Sequence, residues 1–311
     1  MVKYLIKRLL QTALVLFLVM TLVFVILRVV GDPAKMMVTP ESTYEDLENI
    51  RRMLGLDQPI WKQYIQYLSD IFRGDFGNSY YFDRPVIELL QERLPATLKL
   101  GFISMLVSIP LAVLFGVLSA VKRNSPLDNA VTALVVTGRS VPAFWFGLLM
   151  ILVFSVKLQW LPASGYGEAK QLVMPVIVMA SGMGASVTRL TRSSMLDVMR
   201  QDYMTTARSK GADEPSVIMK HGLHNALLSV VTFVALQIGY MFAGSVVVES
   251  VFALPGIGRL IVTAIKDYDF PLIQASTLVF ALIFSLTNCV ADICYTLIDP
   301  RISYKSKGGA G

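Results

Sequence analysis

Long apolar runs, each close to the length that crosses a lipid bilayer, constrain this chain more than any other feature. A helix needs roughly 20 apolar residues to span a hydrocarbon core of about 30 Å. Six segments meet this length or approach it: 9–27, 100–121, 131–156, 172–188, 226–248 and 272–298. Only 16% of the 311 residues are charged, against about a quarter in an ordinary soluble protein. The sequence therefore predicts an all-α polytopic membrane protein with six transmembrane helices.

Two of these runs differ from the other four. Run 9–27 is longer than a typical signal-peptide core and is followed by GDPAKMM rather than by a small-residue cleavage site, so we interpret it as a retained anchor. Run 172–188 is short and contains several Gly and Ser residues. Small residues let helix backbones approach closely, and we therefore expect this run to cross while packed against other helices.

Basic residues predict the orientation, because short loops rich in Lys and Arg stay in the cytoplasm. Both ends of the chain carry them: Lys3, Lys7 and Arg8, then Arg301, Lys305 and Lys307. Both termini are thus predicted to be cytoplasmic, as an even number of crossings requires. The predicted organisation is a first transmembrane helix (1–30), an extracytoplasmic cap (31–96), a five-helix core (97–300) and a cytoplasmic tail (301–311). Within the cap, two short helices are predicted in ESTYEDLENIRRMLG and IWKQYIQYLSDIF.

A polar segment separates the fourth and fifth apolar runs. It reads DYMTTARSKGADEPSVIMKHGLHNAL over 202–227. Gly211 is a natural end for the first helical stretch, since glycine readily adopts the left-handed conformation found after helix ends. Asp213 followed by Pro215 is typical of a helix start. We predict a cytoplasmic loop, 199–225, with two short helices joined at a glycine and one face available to a partner.

This segment resembles the coupling motif of type I ABC importer permeases: Glu-Ala-Ala, three residues, Gly, nine residues, Ile, one residue, Leu-Pro. Here the motif positions are occupied, in order, by Thr205, Thr206, Ala207, Gly211, His221, Leu223 and His224. The spacing is kept, whereas four residue types differ. Further motifs resemble the dipeptide, oligopeptide, nickel and glutathione branch of this family along nearly the whole chain. They are GDP (31–33), LGLDQP (54–59), LPAT (94–97), SVPAFW (140–145), LTRSSML (190–196), ESVFALPGIG (249–258) and DPR (299–301).

The resemblance implies a permease subunit that forms half of a translocation pathway for peptides, for nickel, free or chelated, or for a related small solute. The implied partners are a second homologous permease, two ABC ATPase subunits and an extracytoplasmic substrate-binding protein, within the lipid bilayer and without nucleic acid. The chain itself lacks a GxxxxGK[ST] phosphate-binding loop. ATP hydrolysis is therefore expected in the partners, and no catalytic residue, metal or cofactor is expected here. The implied ATPase-coupling residues are Tyr203, Thr205, Thr206, Ala207, Lys210, Gly211, His221, Leu223 and Asn225.

Some assignments stay open at this point. Residues of small or polar type within the apolar runs would suit either a pathway lining or helix packing: Ser140, Pro142, Gln237, Gly239 and Tyr240. Arg139 and Asp292 also lie within runs, where a charge costs about 2.5–3.5 kcal/mol at the helix centre. They are expected to pair with each other or with the second permease, to snorkel, or to contact substrate.

Two further classes of membrane protein fit the sequence less well. An ion-coupled secondary transporter, the main alternative, usually places ion-binding carboxylates near the bilayer centre, and Asp292 is the one acidic residue clearly within a run. A membrane enzyme would need clustered nucleophiles, metal ligands or paired carboxylates, and the sequence contains none. His221 and His224 share a helix face, but no other ligand type stands at helical spacing beside them. For these two histidines we favour a structural or ATPase-contacting role.

Overall fold

The computed structural model describes residues 2–38 and 43–298, and nearly all of this chain is helical. The helices are α1 (Val2–Val30), α2 (Pro33–Met37), α3 (Tyr44–Met53), α4 (Ile60–Arg73), α5 (Val86–Val121), α6 (Pro126–Ser140), α7 (Ala143–Met150), α8 (Ala169–Met199), α9 (Asp202–Ser209), α10 (Glu214–Ser216), α11 (His224–Val251), α12 (Ile257–Lys266) and α13 (Phe270–Ile298). Two π-helical stretches supplement them. Ile151–Lys157 continues α7, and Val217–Leu223 joins α10 to α11.

Within the described residues, five helical segments are long and apolar enough to cross a membrane, and the bent pair α6–α7 makes a sixth if it counts as one broken span. Five of the six predicted runs therefore lie within a single helix, and run 131–156 lies across the bent pair. Run 131–156 is not one straight helix, however, because this segment bends by 109° between Ser140 and Ala143. Pro142 supplies the reason: it lacks a backbone N–H and disfavours helical geometry at Val141, which is extended (φ −86°, ψ 123°).

The second crossing is much longer than predicted. α5 begins at Val86 rather than near residue 100, and its 36 residues extend about 54 Å at 1.5 Å per residue. Its first turns are buried in a core that contains Val86, Leu89, Phe270 and Leu272. This packing stabilises the helix through LPAT (94–97), where the sequence alone predicts the boundary between the cap and the five-helix core. The end of the predicted cap at residue 96 therefore falls inside a helix.

The described chain forms two compact units. The first combines the chain up to Leu98 with Ala253–Ser285. Two buried polar contacts hold it together. The Asp269 carboxylate accepts hydrogen bonds from the Ser79 hydroxyl and from the Tyr81 N–H, and the Thr97 hydroxyl accepts one from the Ile257 N–H at 2.9 Å. Each contact also satisfies backbone groups at a helix start or turn, which would otherwise be left without partners.

The second unit contains Lys99–Phe252 together with the chain from Leu286. Here α8 contacts α6, α7 and α11 and has many buried positions along its length. Gly116 on α5 shows how closely the helices approach, because a Cβ atom at this position would lie 2.5 Å from the Thr191 Cβ of α8. The expectation that run 172–188 relies on packing against protein is confirmed, since two thirds of the apolar window in this helix is buried.

Candidate coupling site and pathway

The polar segment begins with α9, a short helix that follows the end of α8 directly. One side of α9 is exposed and carries Tyr203, Thr205 and Thr206. On the other side Met204 is fully buried, and its Cε atom lies near Gly222 at the end of the segment. α9 is thus held against the neighbouring helices by the buried Met204 side chain, whereas its polar face is exposed.

A glycine elbow ends α9, as predicted. Gly211 has φ +82°, and its N–H donates to the Arg208 carbonyl at 2.9 Å. A Cβ atom here would contact nothing within 4 Å, so the requirement for glycine is conformational and not steric. Across the elbow the Arg208 guanidinium donates to both Glu214 carboxylate oxygens at 3.0 and 2.9 Å. This pairing raises the pKa of Arg208.

The second half of the segment differs from the prediction. Asp213 does cap a helix start, since its carboxylate accepts from the Ser216 N–H at 3.3 Å, and Pro215 lies in the first turn. This start does not lead to a separate short helix, because α10, Val217–Leu223 and α11 form one helical rod, Glu214–Val251, of 38 residues. Tertiary contacts explain the continuity: Val217 and Gly222 are buried within the rod's first turns. The elbow therefore connects α9 directly to a membrane-spanning helix.

Gly222 is the tightest point of this junction. A Cβ atom at this position would lie 3.3 Å from the Met195 Cε atom and 3.5 Å from the Met204 Cε atom. Met195 is on α8 and Met204 on α9, and both are fully buried. The end of α8, the middle of α9 and the start of the rod thus meet around one glycine, which the sequence motif did not single out.

The predicted coupling residues fall into two groups. The exposed ones are Tyr203, Thr205, Thr206, Lys210, Gly211, His221 and Asn225. Ala207 and Leu223 are half-buried, and Leu223 packs against the buried cluster of Val117, Ala120, Met195 and Ala226. Leu223 is therefore a packing residue of the junction. The Asn225 side-chain amide donates to the His221 carbonyl at 2.7 Å, which holds it against its own helix.

A buried ion pair beside this segment was missed by sequence reasoning. Asp128, 3% exposed, accepts hydrogen bonds from Arg192 Nε and Nη2, both at 2.8 Å. It also accepts from the Ser119 hydroxyl and from the Asn124 N–H at 2.9 Å. The pair joins α8, shortly before α9, to the first turn of α6, and the contacts with Ser119 and Asn124 connect it to α5 and to the turn after it. Arg192 belongs to the LTRSSML motif, and Ser-Pro-Leu-Asp at 125–128 is a recognisable helix start, but neither pattern indicates the pairing.

The candidate pathway residues lie in different environments. Gln237 and Tyr240 on α11 line a cavity of about 260 Å³ together with the break at Val141 and with residues of α8. Gly239 is buried in helix packing. The Ser140 hydroxyl donates to the Val136 carbonyl of its own helix at 2.9 Å, and Pro142 forms the bend. Arg139 is exposed, whereas the Asp292 side chain lies outside the described residues, so their pairing stays a prediction.

Comparison with known proteins settles the family. Residues 112–304 match the family described as "Binding-protein-dependent transport system inner membrane component", and residues 1–101 match its N-terminal part, "Binding-prot-dependent transport system membrane comp, N-term". The chain belongs to this family. The predicted membership is confirmed, and the chain is an inner-membrane, multi-pass permease subunit of an ABC importer.

Individual relatives agree over the full length. The chain is 42% identical over 306 residues to the "Glutathione transport system permease protein GsiC" of Escherichia coli (strain K12), covering 98% of this chain and 100% of that protein. The protein of the same name from Shigella dysenteriae serotype 1 (strain Sd197) gives the same figures. A solved structure, "Crystal structure of an amino acid ABC transporter with histidines", is similar in fold at a TM-score of 0.52 and 17% identity. That similarity covers 70% of this chain and 95% of the other.

Proposed function

We propose that this permease is driven by ATP hydrolysis in two partner ATPases, and that it receives the force through α9 and the elbow at Gly211. The observation that carries the proposal is the contrast between the two sides of α9. Its outer side exposes polar residues of varied size, whereas Met204 beneath is fully buried at the junction of α8 and the rod. A push on such a helix moves the membrane-spanning helices with it, because packed interiors shift as units rather than deform continuously.

The remaining partners follow from the same proposal. A second homologous permease completes the pathway, and an extracytoplasmic binding protein delivers the solute. The cavity beside Gln237 and Tyr240 is the part of the pathway that this chain contributes. It lies between the α6–α7 bend, α8 and α11, where small movements of the rod would change its size.

For the transported solute we propose a small peptide of the glutathione type. The 42% identical relatives carry that name, and Gln237, Tyr240 and Ser181 in the cavity lining offer neutral hydrogen-bonding groups of the kind that suit amides. The lining residues of this cavity include no carboxylate, imidazole or thiolate. Bare Ni²⁺ would find none of its usual strong ligands there, which favours an organic solute over the free ion.

The experiment compares Gly211→Pro with Gly211→Asn in the complex purified through a tag on this chain. Asn tolerates the left-handed conformation much better than other residues with a side chain, and is therefore the matched control. Subunit composition and binding-protein-stimulated ATPase activity are the measurements. We expect the wild type and the Asn variant to retain the ATPases and stimulated hydrolysis, and the Pro variant to lose one or both. Transport by a chain that purifies without ATPases would contradict the proposal.

A further inference from the structure

Helix α4 of the first unit carries an apolar stripe that no described residue covers. Trp61, Ile65, Leu68 and Phe72 follow one another at the spacing i, i+4, i+7, i+11, which places them on one face of a helix. Trp61 is 65% exposed, Ile65 58% and Phe72 80%. Leu68 is half-buried. A soluble surface rarely presents such a continuous row of large apolar side chains.

A polar stripe runs along a neighbouring face of the same helix, about 100° round from the apolar stripe. Lys62, Gln66, Ser69 and Arg73 repeat the same spacing, shifted by one residue. Lys62, Gln66 and Arg73 are exposed and Ser69 is half-buried. α4 is thus amphipathic, with Trp, Ile, Leu and Phe on one side and basic, neutral polar and one acidic residue, Asp70, on the other. This is the composition of helices that lie in a membrane interface.

The contacts of α4 place it beside a membrane-spanning helix. On the flank of the apolar stripe that faces away from the polar stripe, α4 packs against α1 through tyrosines. The Tyr64 and Thr21 hydroxyl oxygens are 2.6 Å apart, and the Phe24 ring centroid lies 5.2 Å from that of Tyr64 and 5.5 Å from that of Tyr67. The span in α1 is Ile6–Val29. α4 therefore contacts part of the span itself.

The depth of this contact decides what can cover the stripe. Thr21 precedes Leu27, the last residue of the apolar run 9–27, by six residues, or about 9 Å along the helix. The basic residues predict a cytoplasmic N terminus, so that the end of this run near Leu27 lies at the outer side of the apolar core, and Tyr64 contacts α1 below that end. Only 11% of the apolar window in the α1 span is buried, so the exposed stripe of α4 continues an apolar surface that faces the bilayer. A soluble protein approaching from outside would have to pass the headgroups to reach it.

We propose that α4 is an interfacial helix that binds the outer leaflet, with Trp61, Ile65 and Phe72 among the acyl chains and the polar stripe towards the headgroups and water. Tyr64 and Tyr67 then belong to the aromatic belt that marks membrane interfaces. The partner of this surface is lipid, not the binding protein. Part of the predicted extracytoplasmic cap is consequently attached to the membrane and holds the outer end of α1.

Site-directed spin labelling of the whole complex tests this proposal. Both native cysteines are replaced by Ala, and a nitroxide is attached at Ile65→Cys, at Phe72→Cys or, as the matched control on the polar stripe, at Gln66→Cys. The complex is reconstituted in nanodiscs of phosphatidylethanolamine and phosphatidylglycerol. Collision rates are measured with oxygen, which concentrates in lipid, and with a water-soluble nickel chelate. Co-purification of the ATPases verifies that each labelled chain is assembled. Two positions on the apolar stripe are labelled, so that the test still holds if one labelled variant does not assemble.

We expect the oxygen-to-nickel collision ratio to be several-fold higher at residues 65 and 72 than at residue 66, with no change when the binding protein is added. High nickel accessibility at 65 and 72 would show that the stripe faces water and would overturn the proposal. Low accessibility to both reagents would mean that a protein surface covers the stripe. A loss of accessibility only after the binding protein is added would identify that protein as the occupant, and either of these results also overturns the proposal.

Discussion

Gly222 and its two methionine neighbours show how closely the polar segment 202–227 is packed around a single residue. Because a Cβ atom there would lie 3.3 Å from Met195 and 3.5 Å from Met204, we expect Gly222→Leu to destabilise the purified complex by about 1–3 kcal/mol, the usual cost of overpacking. His221→Leu is the control, since it places the same side chain on an exposed neighbouring position. Thermal unfolding should show a lower midpoint for the first variant only. Equal midpoints would mean that the junction is loose.

The ion pair of Asp128 and Arg192 makes a second prediction at this scale. Asp128→Asn removes the charge that Arg192 faces, and we expect the free energy of unfolding to fall by up to about 3 kcal/mol. This is the lower end of the cost of breaking a buried pair, because Arg192 keeps some solvent contact. In a double-mutant cycle with Arg192→Gln the losses should be strongly non-additive. Arg84→Gln, which removes an exposed pair with Glu92, is the control and should change stability little. Additive losses for Asp128→Asn and Arg192→Gln would show that these two side chains do not stabilise each other.

At the scale of the element, the bend between α6 and α7 is the feature most open to test. The break leaves a gap in the helical hydrogen bonding around Pro142, and Val141 lines the candidate pathway cavity. Pro142→Ala restores a backbone N–H and removes the clash with the preceding residue, so we expect solute uptake in proteoliposomes to fall several-fold while the subunits still assemble. Pro126→Ala, at the first turn of α6 where proline is well tolerated, is the control. Uptake by Pro142→Ala at the wild-type rate would show that transport does not depend on the bend.

The rod Glu214–Val251 is the other element with a functional consequence. Its continuity connects the elbow at Gly211 to a helix that lines the cavity at Gln237 and Tyr240. Nearly all of the chain between Gly211 and Gln237 is helical. The predicted helix–elbow–helix loop is thus replaced by a helix, an elbow and a membrane-spanning helix.

At the scale of the whole molecule, the energy source distinguishes an ABC importer from an ion-coupled transporter. We expect uptake by proteoliposomes that contain the full complex to require internal ATP and to persist when an ionophore collapses the proton and sodium gradients. A non-hydrolysable ATP analogue is the control and should not support uptake. Uptake driven by an ion gradient without ATP would contradict the proposed coupling, although the family assignment of the chain would stand.

The sequence by itself determined the class of the protein, the number of apolar segments and the helix end and helix start on either side of Gly211. Apolar length, the basic termini, the helix stop at Gly211 and the cap at Asp213 depend on residues close together in the chain, and their physical causes are local. Only the tertiary structure decided the long α5, the continuous rod and the Asp128–Arg192 pair. Each of these depends on side chains far apart in sequence: Val86 against Phe270, Gly222 against Met195, and a buried carboxylate that needs a guanidinium 64 residues away. A buried charge or a close helix contact is favourable only when its partner is in place, and no pattern in a single sequence specifies which partner the fold brings to it.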